Sequence, residues 1–203
     1  PSMATWLDLV ALGTVADVVP LDQVNRVLVH QGLLRIRAGQ CRPGIQALLR
    51  IAGKNPHRLA SADLGFAIGP RLNAAGRLDD ISLGIQCLLT DDPQLAMQTA
   101  QELDQLNKDR RSIEQSMQRE AMVEMDKLSF ESDEVLPAVL CLFHPDWHQG
   151  VVGLLASRLK EKYHRPVVAF ARGDEGILKG SSRSIPGLHI RDALDAVATQ
   201  NPG

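Results

Sequence analysis

From Trp6 to Arg50 the apolar residues recur at helical intervals, Leu9, Leu12 and Ala16 before Pro20 and Val24 and Leu28 after it. Two or three helices are predicted, with the proline as a boundary. A polar loop around Gly53-Lys54-Asn55-Pro56 precedes a short helix over Ala62–Ile68, which Gly69-Pro70 is expected to end. The string Arg71 to Arg77 then opens a helix that runs on to Leu89. Asp91-Asp92-Pro93 carries the signals of a new start, an aspartate able to cap and a proline suited to the first turn. From Gln94 to Leu128 there is no glycine and no proline, and Leu103, Leu106, Ile113, Met117, Ala121 and Leu128 follow one face with charge on the other. That pattern is one helix of about 50 Å at 1.5 Å per residue, expected to bridge two lobes.

Past Ser129–Leu136 the period changes. Ala138–Phe143 is a short apolar run, Val151–Tyr163 an amphipathic helix and Pro166–Ala171 a second apolar run, which reads as a βαβ unit. Ile177–Ser182 is a further strand and Ile190–Val197 a helix. The fold class is therefore α/β, in three parts: 1–93, a connecting helix at 94–129, and 136–203.

Composition narrows the class. A chain of 203 residues with 44% apolar and 23% charged positions is globular rather than fibrous or disordered. Its longest greasy stretch, Leu7–Leu21, contains Asp8 and Asp17 and falls short of the roughly 20 apolar residues of a spanning helix, so no membrane segment is expected. Cys41, Cys87 and Cys141 are widely spaced and form no CxxC pair, and no leader precedes them, which predicts a reduced, cytoplasmic protein. A start at Pro1 and a stop at Asn201-Pro202-Gly203, just after a helix-like stretch, predict an internal piece of a longer chain.

The formal net charge of −2 hides an asymmetry. Residues 21–60 hold seven basic side chains (Arg26, Arg35, Arg37, Arg42, Arg50, Lys54, Arg58) against Asp22 alone, whereas 94–135 hold five basic and ten acidic. The basic block is either a track for a polyanion or a solvated arginine face. With aromatics at 3%, a broad stacking platform for single strands is not expected.

Chemistry concentrates in four strings. Ala11 to Pro20 places Asp17 within an apolar run, where an ionised carboxylate calls for a metal, a buried ion pair or a helix-capping role. Gly69 to Arg77 sets Arg71 and Arg77 around small residues, with Asp79 and Asp80 beyond; the arginine forks suit phosphate oxygens, or pair with those aspartates in tight helix packing. His144 to Gly153 leads from a strand end into a helix, where free N–H groups suit an anion. Pro145 keeps His144 and His148 off a common helix face, so hydrogen bonding to phosphate or carboxylate is expected there rather than zinc. Lys179-Gly180-Ser181-Ser182-Arg183-Ser184 offers glycine, hydroxyls and cations in the manner of an anion-binding loop.

The order and wording of DLVALGTVADVVPL, NRVLVHQGLLRIR, GPRLNAAGRLDD, LDQLNKDRR, HPDWHQGVVGLLASRLKEKYHRPVVAFA and KGSSRSIPGLHIRDAL resemble the DHH phosphoesterase superfamily along nearly the whole chain, in its branch of bacterial single-strand exonucleases. The resemblance implies the end of a DHH lobe, a connecting helix and a partial DHH-associated lobe. It implies 5′ to 3′ degradation of single-stranded DNA to mononucleotides in recombination and mismatch repair, with a repair helicase or single-strand-binding protein as partner. It also implies Mn²⁺ or Mg²⁺, held by aspartates and histidines, that activate a water. On this chain Asp17 matches a metal ligand, and Asp8 is the less favoured candidate. Arg71, Asn73 and Arg77 match the string facing DNA near the scissile end, and His144, Trp147, His148, Gln149 and Gly150 the loop beside the strand. Ser182, Arg183 and Ser184 match the phosphate loop. Asn107 and Arg111 match a helix motif facing the strand, and Arg158 is added as a further cation toward DNA.

The departures are specific. No DHH triplet, aspartate-rich first motif or glycine-glycine-histidine string occurs, and the phosphate loop has Ser182 where the usual form has a second glycine. The chain alone is therefore expected to bind no metal and cleave nothing. The rival readings are a non-catalytic DHH scaffold and a phosphodiesterase of short oligonucleotides.

Overall fold

The computed structural model describes residues 2–131, 137–173 and 176–201, the side chains of 126–131 excepted. The chain forms two compact units, Pro1–Arg110 and Arg111–Gly203.

The first unit is helical. Helices α1 (Leu7–Ala16), α2 (Gln23–Arg37) and α3 (Pro43–Ile51) fill the stretch read as two or three helices. Asp22 caps α2 by accepting the Asn25 N–H at 2.8 Å, and Pro43 opens α3 at the first turn. Two glycines set how closely these helices approach: a methyl at Gly32 would overlap Leu7 and Ala11 of α1, and one at Gly44 would overlap the backbone of Cys87. The core between them holds Leu12, Leu33, Ile36, Ile45, Leu48 and Leu49. Asp8 is fully buried among them and accepts backbone N–H bonds from Leu9 and Arg42, each at 2.8 Å, which ties α1 to the start of α3.

Gly69-Pro70 does not end the next helix. One continuous helix runs from α4 (Ser61–Asp63) through a π-helical turn (Leu64–Ile68) into α5 (Gly69–Leu78). Pro70 inside an α-helix would lose a hydrogen bond and clash with the carbonyl four residues back. The wider turn, in which Gly69 N–H reaches Leu64 O, relieves that clash and carries the helix past the proline. Nor does α5 run on to Leu89. It stops at Leu78; Asp79 is extended, and Asp80 turns the chain by accepting the Ser82 N–H at 2.9 Å before α6 (Ser82–Leu89). Helix α7 (Pro93–Glu131) begins where the aspartate-proline signal placed it, with Asp92 accepting from Gln94 N–H at 2.8 Å. The boundary between the two units falls within α7. Of its expected apolar face, Leu103, Met117 and Ala121 are buried, and Leu128 lies outside the described side chains.

The second unit contains β1 (Leu140–His144), α8 (Val152–Tyr163), β2 (Val167–Arg172), β3 (Leu178–Arg183) and α9 (Ile190–Gln200). Strands β1 and β2 are parallel and joined through α8, while β3 pairs antiparallel on the other side of β2, with Ala169 opposite Ser181 and Val167 opposite Arg183. Leu140, Leu142, Val167, Ala169 and Ala171 form the buried face, against Leu155, Ala156 and Leu159 of α8. Among the described residues no helix is long and apolar enough to cross a membrane.

Candidate nucleic-acid interface

In the first unit the end of α1 rests on the π turn. Gly65 and Gly69, four apart, face Val15 and Ala16, and a methyl at Gly65 would meet Val15 Cγ1 at 3.2 Å. Asp17 follows at the helix C-cap and is exposed, so it is not the carboxylate enclosed by the apolar run; the buried one is Asp8. The turn that releases Asp17 is a Schellman motif: Val19 N–H reaches Thr14 O at 3.1 Å and Val18 N–H reaches Val15 O at 3.2 Å. Its left-handed position, which glycine usually fills, is Val18 at φ 55°. A β-branched residue there is strained, and such strain gathers at functional sites.

Along α5, Asn73 and Arg77 are exposed. Arg71 is not available in the same way. Its Nη2 lies 2.8 Å from Asp104 Oδ1, its Nε donates to the same oxygen, and its Nη1 donates to Ala67 O. Its partner is thus on α7, not Asp79 or Asp80. Lys108 completes the cluster, 2.8 Å from Asp104 Oδ2. Burial pushes the Asp104 carboxyl up, but Lys108 and Arg71 outweigh it and hold it below its ordinary value. Asn107 is 1% exposed and accepts from Arg110, so it offers no face to a strand, whereas Arg111 is exposed.

Much of the basic block serves the fold. Arg26 donates to Leu21 O at 2.7 Å, Arg35 to Gln40 O at 3.2 Å, and Arg37 twice to Leu59 O. Arg42 lies 4.0 Å over the Trp6 ring, and Lys54 pairs with Asp63 at 2.8 Å. Cations in the last turn of α2 also complement its dipole.

In the second unit, the string read as a phosphate loop is mostly strand β3. Alternation puts Ser181 and Arg183 on the face toward α8, and Ser182 on the other face opposite Val168. The Arg183 guanidinium lies along the first turns of α8. Nε donates to Ser157 Oγ at 2.9 Å, and Nη1 donates to Ser181 Oγ at 2.9 Å and to Ser182 O at 2.7 Å. Gly153 makes the room, since a methyl there would sit 2.9 Å from Arg183 Nη2 and from Ser181 Oγ. Gly153 and Ser181 belong to the two strings that stand out in the sequence, whereas Ser157 carries no local signal. Ser184 Oγ donates to Leu188 O at 2.5 Å, within the turn that follows β3.

The 144–150 loop precedes α8. Trp147 is 3% exposed and its indole N–H donates to Glu120 Oε2 at 3.0 Å, so it anchors the loop instead of presenting a ring to DNA. His144 stacks on it at 5.8 Å between centroids. Gly150 N–H donates to His148 Nδ1 at 3.1 Å, which leaves Nε2 as the ring's other hydrogen-bonding atom. Gln149 Oε1 is buried with no hydrogen-bond partner among the described residues. Arg158 pairs with Glu114 at 3.2 Å while its side chain stays 58% exposed.

Known proteins match this sequence along its whole length. RecJ, the single-stranded-DNA-specific exonuclease of Salmonella typhimurium, is 61% identical over 202 residues, all of this chain and 35% of that protein. The Escherichia coli protein of the same name is 60% identical over 203 residues. The crystal structure of Thermus thermophilus RecJ in complex with Mg²⁺ superposes with a TM-score of 0.82 at 33% identity, over 98% of this chain and 30% of that one. The chain belongs to the RecJ family. It spans about a third of the length of these curated RecJ relatives. The DHHA1 domain model matches residues 135–203, which include the Arg183 cluster and the 144–150 loop. A second crystal structure, of RecJ bound to manganese, superposes with a TM-score of 0.80 over 96% of this chain. Among the described residues of this RecJ segment, however, no three His, Cys, Asp or Glu side chains gather as a metal site would require. Asp17 is exposed, and its carboxylate has the oxygen-donor chemistry that Mn²⁺ and Mg²⁺ take.

Proposed function

We propose that this chain is the part of a metal-dependent exonuclease that grips single-stranded DNA and supplies one metal ligand for its 5′ to 3′ degradation to mononucleotides in recombination and mismatch repair. The observation that carries this reading is Arg183, a cation held only by hydroxyls and a carbonyl at the first turns of α8. Among the described residues no carboxylate is paired with it, and the helix N-terminus adds to its pull on an anion. Arg183 and Ser181 bind a phosphate of the strand, with His148 Nε2 and Arg158 as further contacts. Asn73, Arg77 and Arg111 serve the rest of the strand. Arg71, Trp147 and Asn107 act behind these residues by holding helices and loop in place.

Asp17, among other ligands, would hold Mn²⁺ or Mg²⁺, which would supply electrostatic stabilisation of charge on the phosphoryl oxygens. The enzyme would work in the cytoplasm, with a repair helicase or a single-strand-binding protein presenting its substrate. The test is Asp17→Ala in a full-length RecJ carrying this segment. Turnover should be abolished while anisotropy in EDTA shows DNA binding within about twofold of wild type, since the role of Asp17 is with the metal. Retained turnover would remove Asp17 from the site and leave Asp8 to be tried.

A further inference from the structure

Phe66 is out of place by the ordinary logic of this chain. Only seven aromatic side chains are available, yet this one is 82% exposed. It sits in the π turn that carries the helix past Pro70, and such turns occur frequently at functional sites. Its neighbours in the turn, Leu64, Ala67 and Ile68, are all buried, so the local backbone is fixed from the other side. Phe66, Pro70, Asn73 and Arg77 are spaced by four, three and four residues and therefore share one face of the continuous helix. Pro70 is half-buried on it, and the other three are exposed. The residue before Phe66, Gly65, faces Val15, two residues before Asp17, closely enough that a methyl there would meet it at 3.2 Å.

An exposed ring on the same helix face as an amide and a guanidinium, about 10 and 16 Å further along at 1.5 Å per residue, is a chemistry suited to a single strand laid along that face. The ring takes the face of a base, the cation takes the backbone, and neither selects a sequence. A single ring suffices where the strand is held at one point, and the low aromatic content does not prevent that. We propose that Phe66 is a stacking residue for a nucleobase of the single strand, next to the turn that carries Asp17. The inference rests on the exonuclease reading and adds to it the contact that holds the base.

The experiment uses a full-length RecJ carrying this segment, in EDTA, with labelled oligo-dT and the same oligomer made abasic. Wild type should prefer dT to the abasic strand. Phe66→Ala should bind dT roughly 5- to 100-fold more weakly, the range of a lost base–aromatic stack, and lose that preference. Phe66→Trp should keep both, with its indole emission quenched on binding. If Phe66→Ala binds dT as wild type does and still discriminates against the abasic strand, the inference is overturned and the exonuclease reading stands. If Phe66→Ala lowers the melting temperature by several degrees and Phe66→Trp emission ignores DNA, Phe66 packs on another segment of the protein, and the inference is again overturned. No binding of either strand by wild type would sink both readings.

Discussion

Arg71 and Arg183 stand in the two strings with the strongest phosphate-binding wording, one in each unit, and the structure uses them in opposite ways. Arg71 shares one oxygen of Asp104 between two of its nitrogens, and that carboxylate is also paired with Lys108. Its charge is neutralised and its side chain is 14% exposed. Arg183 makes as many hydrogen bonds, but to Ser157, Ser181 and a carbonyl, none of which carries charge. Hydrogen bonding to neutral groups fixes a guanidinium in place without cancelling its field, whereas an ion pair does both. One arginine therefore holds helices together, and the other keeps its charge among these partners, as the proposed phosphate contact requires.

That contrast is broken most visibly at Arg71. Arg71→Ala leaves Asp104 with Lys108 alone in a largely buried setting, and loss of one partner of such a pair should destabilise the first unit by about 3 kcal/mol. Urea unfolding would read this, and a change under about 1 kcal/mol would mean that Arg71 is not structural. The same pair makes stability fall in acid. The Asp104 carboxyl sits below its ordinary value in the native state, so its contribution is present above the normal aspartate range and lost as pH falls through the depressed native value. Asp104→Asn should flatten the acid limb of the stability curve.

Arg183→Ala should do the reverse. Stability should change by less than about 1 kcal/mol because the residue is only part-buried. Affinity of full-length RecJ for single-stranded DNA should weaken by about 1.5–3 kcal/mol, the usual worth of a charged hydrogen-bonding group. Gly153→Ala sharpens the point without removing any polar group. Its methyl would push on Arg183 Nη2 and Ser181 Oγ, so it should reproduce part of the binding loss. If Gly153→Ala binds normally while Arg183→Ala does not, the arginine acts from a position other than the one against α8.

The difference between the two arginines was only half legible in the sequence. The string Lys179 to Ser184 shows its cations and hydroxyls directly, and the strand expected over Ile177–Ser182 already implied alternation. Carried one step further, alternation pairs Ser181, not Ser182, with Arg183. For Arg71 no local signal exists, since Asp104 lies 33 residues away and only packing brings it near. The nearby Asp79 and Asp80 were the natural guess from sequence distance. The long helix, the βαβ unit and the cap at Asp92 were readable because each rests on period or local hydrogen bonding. The continuation past Gly69-Pro70 was not, because a π turn carries no compositional mark. Trp147 and Asn107 lie in motifs that the resemblance sets beside the strand, but a motif does not say which of its members face inward.

The smallest effect separates the two units again, at their left-handed helix ends. Val18 ends α1 at φ 55° and His164 ends α8 at φ 51°. Histidine tolerates this region better than a β-branched side chain, whose branch crowds the carbonyl. Val18 is 85% exposed, so replacing it sacrifices almost no packing. Val18→Gly removes a steric penalty of about 1–2 kcal/mol and gives back roughly 0.5–1 kcal/mol in the greater freedom of glycine in the unfolded chain. The net expectation is a gain of under about 1 kcal/mol, larger than for His164→Gly, read as a shift of the urea midpoint with unchanged slope. Turnover of full-length RecJ decides what the strain is for. If the rigid turn aims the Asp17 carboxylate, Val18→Gly should stabilise the protein and slow it together. A stabilised variant at full rate would show that Val18 does no more than stop the helix.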